Sequence, residues 1–369
     1  MQTPATLMRG GTSKCWLFDH RDVPDDRVRL EDLLIELFGA EDPRQLDGVG
    51  GGTSVTSKAA VVMPSADPDV DVDFLFAQVA IGAHRVEWGS NCGNCATAVA
   101  LWAVDKLGLS RGESHTEVRM RNLNTNAVIH ARVATPSASS PARFDSVSVP
   151  GVRGTGTAVD LAFVDPAGST TGSLWPTGKR RDSIVVDGIR VDISMADAGA
   201  PVALVRADSL GVSAAATEEQ LQQYVPMLRH IRARAAVAMG LATSIETAPD
   251  AIPKVGLVGP AVPYRTTLGE DVDAADYDIS VRMLSMNAPH PTIGLTSAVA
   301  VALAARSGDS TVGFAGAAAP ANFAVTIGTL GGRVRCTVER DGGHERVLLQ
   351  RAARRIAEST LYSRDRLSA

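Results

Sequence analysis

The sequence predicts an α+β protein with two similar domains, each a curved, mostly antiparallel sheet around one buried helix. Most of the chain consists of short runs rich in valine and isoleucine, broken by glycine and proline, which is typical of strands and turns. Two helical segments are apolar on nearly every side, and such helices must be wrapped by other structure. They carry similar tetrapeptides, Thr97–Ala100 and Ser297–Ala300, 200 residues apart. We expect domains 1–185 and 186–369, with a last segment that is able to return to the first domain.

Composition and charge exclude several classes of protein. The chain of 369 residues is long enough for two domains and can bury a core without disulfides. Its four cysteines therefore need not form a disulfide framework. A net charge of −5 does not suggest a nucleic-acid partner. The longest apolar stretches are less than half of the ~20 residues that a membrane helix requires. No targeting signal is visible, so we expect a cytoplasmic protein that acts away from membranes.

The strand predictions follow the apolar runs in chain order, and the turn Asp341–Gly343 between the last two is typical of a hairpin. The predicted strands are Val55–Met63, Asp71–Ile81, Thr116–Asn122, Ala127–Ala134, Asp160–Val164, Ser183–Val191, Val202–Arg206, Lys254–Val258, Tyr277–Ser285, Asn322–Ile327, Arg333–Arg340 and His344–Arg351.

Four helices are predicted, and their ends carry recognisable signals. The first covers Leu30–Phe38 and stops at Gly39. Thr217 and Gln220 form a capping box, and Pro226 is predicted to start the helix that runs to Met239. The two buried helices run from near Cys92 to Gly108 and from Thr292 to Arg306.

The segment Gly89–Cys95 lies where a loop becomes a buried helix, and it carries the strongest chemical signal. First-turn amides there are unpaired and the helix dipole is positive, so this end attracts a carboxylate or phosphate. The same field would lower the pKa of Cys92. Gly93 allows close approach to the backbone, and Asn91 and Asn94 supply amide donors. The alternative is a tight packing turn in which Cys92 is a small buried hydrophobe.

Cys92 and Cys95 also form a C-x-x-C motif, which brings in another class of function. A thioredoxin-like redox pair or half of a zinc site would use this motif at a helix start. The sequence contains no second C-x-x-C, and Cys15 and Cys336 are isolated. We therefore expect no metal site, and we expect Cys95 to be a packing residue.

Three other residues are candidates because of their surroundings. Lys58 enters the apolar run Ala59–Val62. Desolvation there would favour the neutral amine and make it a usable base. The alternative is an amine that reaches water at the strand end. Arg9 offers a fixed cation beside Gly10 and Gly11, suited to a bidentate carboxylate clamp or simply to an exposed turn. His290 lies in the turn before the second buried helix, where a structural role is the alternative.

Together, these segments resemble the PrpF family, the 2-methylaconitate cis–trans isomerases, which have the fold of diaminopimelate epimerase. The specific matches are Met8–Lys14 (MRGGTSK), Thr56–Lys58 (TSK) and Asn91–Asn94 (NCGN). Weaker matches follow in the same order along the chain: Arg121–Asn126, Gly154–Gly156, Asp165–Gly168, Pro176–Gly178 and Ser285–Pro291.

The resemblance implies a cofactor-independent isomerase that moves a proton next to carboxylates across an allylic system. The family's catalytic lysine falls on Lys58 and its catalytic cysteine on Cys92. The substrate would be an unsaturated tricarboxylate such as 2-methylaconitate, and a homodimer is a further expectation. The residues expected to bind this substrate are Arg9, Thr12, Ser13, Ser57, Asn91, Gly93, Asn94, Met286 and His290.

Departures from the family pattern leave the substrate open. Cys15 and Cys95 stand where other residues are frequent, Ala100–Ala103 replaces a common Gly-Pro-Phe stretch, and Gly199–Pro201 stands where methylaconitate isomerases tend to carry Asn-Pro. The related 4-oxalomesaconate tautomerases share MRGGTSK, TSK and NCGN, so keto-enol tautomerisation is an alternative. The alternatives of other classes are C-x-x-C thiol redox chemistry and simple carboxylate binding.

Overall fold

Two units make up the chain in the computed structural model, which describes residues 1–89, 92–109, 115–135, 147–313 and 320–364. Unit 1 is drawn from Met1–Val149, Gly154–Leu161 and Arg351–Ala369. Unit 2 is drawn from Pro150–Arg153 and Ala162–Gln350. The stretch 162–185 therefore packs with unit 2, and the last strand leads the chain back to unit 1.

The elements of the first part of the chain belong mainly to unit 1. They are β1 (Gln2–Gly10), β2 (Ser13–Asp19), α1 (Arg27–Phe38), β3 (Lys58–Pro64), β4 (Val72–Val79), β5 (Val86–Glu87), α2 (Gly93–Lys106), β6 (His115–Asn122), β7 (Val128–Ala134), β8 (Val147–Ser148) and β9 (Thr155–Val164).

The remaining elements belong to unit 2, except for the end of the last strand. They are β10 (Asp182–Val186), β11 (Ile189–Ala198), β12 (Ala200–Arg206), α3 (Glu218–Ala238), β13 (Lys254–Pro260), β14 (Tyr264–Arg265), β15 (Asp271–Val272), β16 (Ile279–Ser285), β17 (Ala288–Pro289), α4 (Leu295–Ala305), β18 (Phe323–Thr329), β19 (Gly332–Asp341) and β20 (His344–Tyr362).

The two units repeat one order of strand pairing. In unit 1, β1–β2 is antiparallel, β2–β3 parallel, β3–β4 antiparallel, β4–β6 parallel and β6–β7 antiparallel. In unit 2, β11–β12, β12–β13, β13–β16, β16–β18 and β18–β19 follow the same alternation. The helices also enter at matching points, because α1 and α3 precede the third strand and α2 and α4 precede the fifth strand of each series.

Each unit places one helix in its interior and one against the other face of its sheet. All residues of α4 are buried, as are those of α2 from Gly93 to Val104. Ala59 and Val61 of β3 belong to the apolar cluster that α1 covers. Val255 and Leu257 of β13 belong to the corresponding cluster under α3. Neighbouring side chains of a strand point to opposite faces of the sheet. The residues of β3 and β13 that alternate with these four therefore face away from α1 and α3.

Most predicted strands and helices are confirmed, with shifted ends, whereas two predictions fail and two strands are missed. Ser183–Val191 is not one strand but the hairpin β10–β11, because Asp187 and Gly188 adopt positive φ and turn the chain. Pro226 does not start a helix: it lies inside α3, which begins at the predicted Thr217 capping box. The strands β1 and β2 have no counterpart among the predicted strands.

Candidate active site

The first turn of α2 is built around Cys92, which occupies the N-cap position. Its Sγ accepts a hydrogen bond from the backbone N–H of Cys95 at 3.4 Å, the role that serine or aspartate usually performs. Gly93 and Asn94 follow as buried residues of the first turn. Asn91, which the sequence predicts as a substrate contact, lies outside the described residues. The predicted change from loop to buried helix at this point is confirmed.

Three thiols form a chain beneath this turn. The side chain of Cys95 is hydrogen-bonded to that of Cys92, and this contact, followed by burial, raises the pKa of Cys92 well above its usual range. Burial, and then a hydrogen bond with the Cys15 thiol, raises the pKa of Cys95. The predicted lowering of the Cys92 pKa is therefore wrong, because the helix end acts against a larger effect of the neighbouring thiol and of desolvation.

Lys58 is the first residue of β3 and keeps only 7% of its surface exposed. Its Nζ donates a 2.5 Å hydrogen bond to Oε1 of Gln78, the residue opposite it on β4. The same Nζ lies 5.2 Å from the ring centroid of Phe76, which shields it from one side. The burial that the apolar run Ala59–Val62 predicts for Lys58 is confirmed.

Gln78 is a residue beside Lys58 that no sequence motif indicates. Its Nε2 donates to the carbonyl oxygens of Ser57 at 2.9 Å and of Ser54 at 3.3 Å, so its amide group can present only the oxygen to Lys58. The side chain is 3% exposed. A polar residue inside the buried strand β4 was the available signal, but its meaning depends on the register between β3 and β4.

Lys58 is close enough to Cys92 for its charge to act on the thiol. The positive charge of Lys58 lowers the pKa of both Cys92 and Cys95, although it is outweighed at Cys92 by the hydrogen bond with Cys95 and by burial, and at Cys95 mainly by burial. The two residues predicted as catalytic thus lie within electrostatic reach of each other in unit 1. An amine and a protonated thiol in such an arrangement can accept and donate protons.

The turn between β1 and β2 lies against the start of α2. Asn94 Nδ2 donates to Oγ1 of Thr12 at 2.9 Å and to Oγ of Ser13 at 3.4 Å. A Cβ on Gly10 or Gly11 would overlap with Asn94, and Gly11 also adopts a positive φ of 51°. The structure therefore brings together three predicted site residues of the MRGGTSK and NCGN segments, Thr12, Ser13 and Asn94, and it explains why the turn needs two glycines.

Arg9 and Ser57 already have partners within unit 1. The Arg9 guanidinium donates from Nη1 to the Gly11 carbonyl at 3.1 Å and from Nη2 to the Thr155 carbonyl at 2.8 Å. The Ser57 hydroxyl is fully buried, donates to the Val79 carbonyl at 3.0 Å and accepts from the Gln45 side chain at 2.8 Å. Both residues support the framework around Lys58 and the β1–β2 turn.

Met286 and His290 lie in unit 2, in the chain that leads into α4. Met286 adopts a positive φ of 56°, and its carbonyl accepts a 2.5 Å hydrogen bond from Arg232 of α3. Arg232 is also paired with Asp250. His290 is 7% exposed, and its Nδ1 accepts from the Thr292 N–H at 3.0 Å, so this nitrogen carries no proton.

Neither a metal-ligating cluster nor a membrane-spanning helix is found among the described residues. Within the described ranges, no group of three or more histidine, cysteine, aspartate or glutamate side chains is arranged to hold a metal ion. None of the helices in the described part of the chain is long and apolar enough to cross a membrane.

Comparison with known proteins identifies relatives along nearly the whole chain. It is 30% identical to 3-methylitaconate isomerase of Eubacterium barkeri (98% of this chain, 97% of the relative). It is 31% identical to 2-methyl-aconitate isomerase of Shewanella oneidensis (97% and 96%). A match to 4-oxalomesaconate tautomerase of Pseudomonas putida reaches 39% identity over 57% of each chain.

Solved structures show the same relationship in three dimensions. A crystal structure of methylitaconate-delta-isomerase superposes with a TM-score of 0.77 at 29% identity, covering 98% of this chain and 96% of that one. A hydroxyproline epimerase from Agrobacterium vitis gives 0.54 at 10% identity, with 98% and 92% covered, which shows a shared fold. The full-length relatives thus define an isomerase, and the shared fold gives it an epimerase-like architecture. The chain belongs to the PrpF family, described as PrpF protein, whose model matches residues 1–364.

Proposed function

We propose that the protein isomerises an unsaturated tricarboxylate such as 2-methylaconitate by moving a proton between two carbons of an allylic system. The observation that carries this proposal is the pairing of Lys58, buried against a neutral amide, with the protonated thiol of Cys92. Full-length relatives named as isomerases of 2-methylaconitate and 3-methylitaconate support the choice of substrate class.

Lys58 acts as the base and Cys92 as the acid in this proposal. The amine of Lys58 takes a proton from the saturated carbon beside the double bond, and the electron pair moves through the allylic system toward a carboxylate. The raised pKa of the Cys92 thiol keeps its proton in place until that moment. Cys92 then gives the proton to the far carbon, and the double bond has moved. Cys92 is then a thiolate and Lys58 an ammonium group, so Lys58 releases its extra proton to water and Cys92 takes one up before the next cycle.

The charges of the two residues couple these steps. Because a positive Lys58 lowers the pKa of Cys92, against the larger effects of Cys95 and burial, the thiol becomes a stronger acid when Lys58 has accepted its proton. Removal of the first proton thus prepares delivery of the second. The two groups have opposite roles that their surroundings distinguish, as general acid–base pairs require.

The carboxylates of the substrate need donors near this pair. The first-turn amides of α2 follow Cys92 and carry the positive end of the helix dipole. The substrate contacts that remain predictions are Arg9, Thr12, Ser13, Ser57, Asn91, Gly93, Asn94, Met286 and His290. A homodimer and a cytoplasmic location also remain predictions from the sequence.

Proton NMR in D₂O tests the proposed function. The purified protein is incubated with 2-methylaconitate, 3-methylitaconate, aconitate, itaconate and oxalomesaconate, one at a time. We expect rapid loss of one proton signal and appearance of the isomer for an unsaturated di- or tricarboxylate of this set. Absence of both deuterium uptake and isomer formation with every compound would contradict the proposal.

A keto-enol tautomerase is the second candidate. Of the three relatives compared above, the tautomerase of Pseudomonas putida has the highest sequence identity, although its match covers a shorter part of the chain. The same Lys58–Cys92 pair would serve, since tautomerisation also moves a proton between two atoms of a conjugated acid. Preferred turnover of oxalomesaconate in the NMR panel would favour this candidate over the methylaconitate isomerase.

A further inference from the structure

Strand β4 of unit 1 changes its partner in the middle of one edge. The other edge is occupied by β3. On this edge, the first part of β4 runs beside β6, with Phe74 opposite Asn122, and its end runs beside β5, with Gln78 opposite Glu87. Phe76 lies between these two pairs and is buried. Its backbone N–H and C=O therefore need hydrogen-bond partners at the point where the neighbouring strand changes.

The side chain of Asn124 supplies these partners. Asn124 follows β6 by two residues and belongs to Arg121–Asn126, a segment that the proposed mechanism does not use. Its Oδ1 accepts from the Phe76 N–H at 2.8 Å, and its Nδ2 donates to the Phe76 carbonyl at 2.8 Å. An asparagine amide has two donor hydrogens, so it can also serve a second carbonyl.

That second carbonyl belongs to the chain that leads to Cys92. Nδ2 of Asn124 donates to the carbonyl oxygen of Trp88 at 2.7 Å, and Cys92 comes four residues after Trp88. The indole ring is held as well, because Nε1 donates to Glu31 of α1 at 3.0 Å and the Arg27 guanidinium lies 4.2 Å from the ring centroid. Trp88 is thus fixed at its backbone and at its ring.

Phe76 connects Asn124 to Lys58. The ring centroid of Phe76 lies 5.2 Å from the Lys58 Nζ. Phe76 also shares a face of β4 with Gln78, which accepts the hydrogen bond of Lys58. One amide group therefore holds both the strand that surrounds Lys58 and the chain that continues to Cys92. A displacement of about 1 Å in a reacting group can cost about 100-fold in rate, so such a link has consequences for catalysis.

We propose that Asn124 is a positioning residue that sets the placement of Cys92 relative to Lys58, acting through Trp88 and Phe76. This inference rests on the proposed function, in which Lys58 and Cys92 are the base and the acid. Its effect belongs to the coupling between these two groups, and that coupling can be measured without a substrate.

Alkylation of Cys92 by iodoacetamide, followed by peptide mass spectrometry, measures this coupling. The charge of Lys58 lowers the pKa of Cys92, so Lys58→Met should slow alkylation at a fixed pH about three- to tenfold in the parent. In an Asn124→Ala background the same change should slow it less than about twofold, because the two groups are no longer held together. Asn322→Ala is the matched control, at an exposed asparagine of unit 2 whose Oδ1 accepts from the Arg340 N–H at 2.9 Å, and there Lys58→Met should act as in the parent.

Turnover gives a second readout. Asn124→Ala should lower kcat about 10- to 100-fold and change KM less than about threefold. The small change in KM is expected because Asn94 holds the first turn of α2 independently, through Thr12 and Ser13. Asn124→Asp replaces Asn124→Ala if the alanine variant does not fold, since aspartate has the same size and keeps the acceptor but lacks both donor hydrogens.

The outcomes separate this proposal from the proposed function. An equal effect of Lys58→Met in the parent and in the Asn124 variant, even with a lowered melting temperature, would make Asn124 a purely structural residue and overturn its positioning role. A rise in KM without a fall in kcat would overturn it as well. If Lys58→Met leaves the alkylation of Cys92 unchanged in the parent itself, the pairing of Lys58 with Cys92 is contradicted, and the proposed function loses the observation that carries it.

Discussion

Lys58 Nζ donates its 2.5 Å hydrogen bond to a neutral amide oxygen, that of Gln78 on the strand opposite. The choice of a neutral acceptor matters for a base. A carboxylate at this place would hold the amine in its charged form, whereas an amide positions the amine without adding a negative charge. Gln78 is itself fixed by the carbonyls of Ser54 and Ser57. If Lys58 is the base, as proposed, we expect Gln78 to be a positioning residue that acts through it.

Gln78→Glu should place a negative charge against Lys58 and hold the amine protonated. We expect kcat at neutral pH to fall about 10- to 1000-fold and the rise of activity with pH to move to higher pH. Gln78→Leu, which removes the hydrogen bond without adding charge, should lower kcat and leave the position of this rise nearly unchanged. The pH–rate profile of isomer formation measures both, and identical profiles for the two variants would argue against the role of Gln78.

How far the sequence predicts this site depends on whether a residue acts through a local motif or through pairing across the sheet. Cys92 and Asn94 were predictable because a helix start has the same chemistry in any fold. Gln78 was not, because its partner lies 20 residues away and only the register of β3 and β4 joins them. The pKa of Cys92 was predicted in the wrong direction, since the contact with Cys95 and the burial depend on packing that no motif reveals.

Cys95→Ala should make the Cys92 thiol more acidic. The hydrogen bond with Cys95 is the largest cause that raises the pKa of Cys92, so its removal lowers that pKa and increases the thiolate fraction at a given pH below it. We expect alkylation of Cys92 by iodoacetamide to accelerate about threefold for each unit by which the pKa falls, because a larger thiolate fraction outweighs the lower nucleophilicity of a less basic thiolate. Peptide mass spectrometry across a pH series measures the rate of Cys92 alkylation and gives the pH midpoint of its rise.

Cys336→Ala is the control for this experiment, because Cys336 is a buried cysteine of unit 2 whose Sγ lies 3.8 Å from the Ala298 carbonyl. In Cys336→Ala, the pH midpoint for alkylation of Cys92 should match that of the parent protein. An unchanged or higher midpoint in Cys95→Ala would show that the contact between the two thiols does not govern Cys92.

Cys92→Ser and Cys95→Ser distinguish acid–base chemistry from thiol redox chemistry. A hydroxyl is too weak an acid to replace the Cys92 thiol, so Cys92→Ser should lose nearly all turnover. Cys95→Ser keeps a hydrogen-bonding group beside Cys92 and should keep most of it. Initial rates by NMR, with and without a reductant, give the comparison. Equal losses in both variants, or activity that depends on the reductant, would favour the redox pair.

Arg9→Lys tests whether Arg9 braces the β1–β2 turn as its contacts indicate. The guanidinium reaches the Gly11 and Thr155 carbonyls with two different nitrogens, and a single ammonium cannot reproduce that fork. We expect a loss of about 1–3 kcal/mol in the free energy of unfolding, measured by urea denaturation, together with a raised KM because Thr12 and Ser13 lie on the same turn. Arg21→Lys, at an exposed arginine paired with Asp19, should change stability by less than about 1 kcal/mol. A raised KM with unchanged stability would instead assign Arg9 to the substrate alone, as the bidentate clamp that the sequence first suggested.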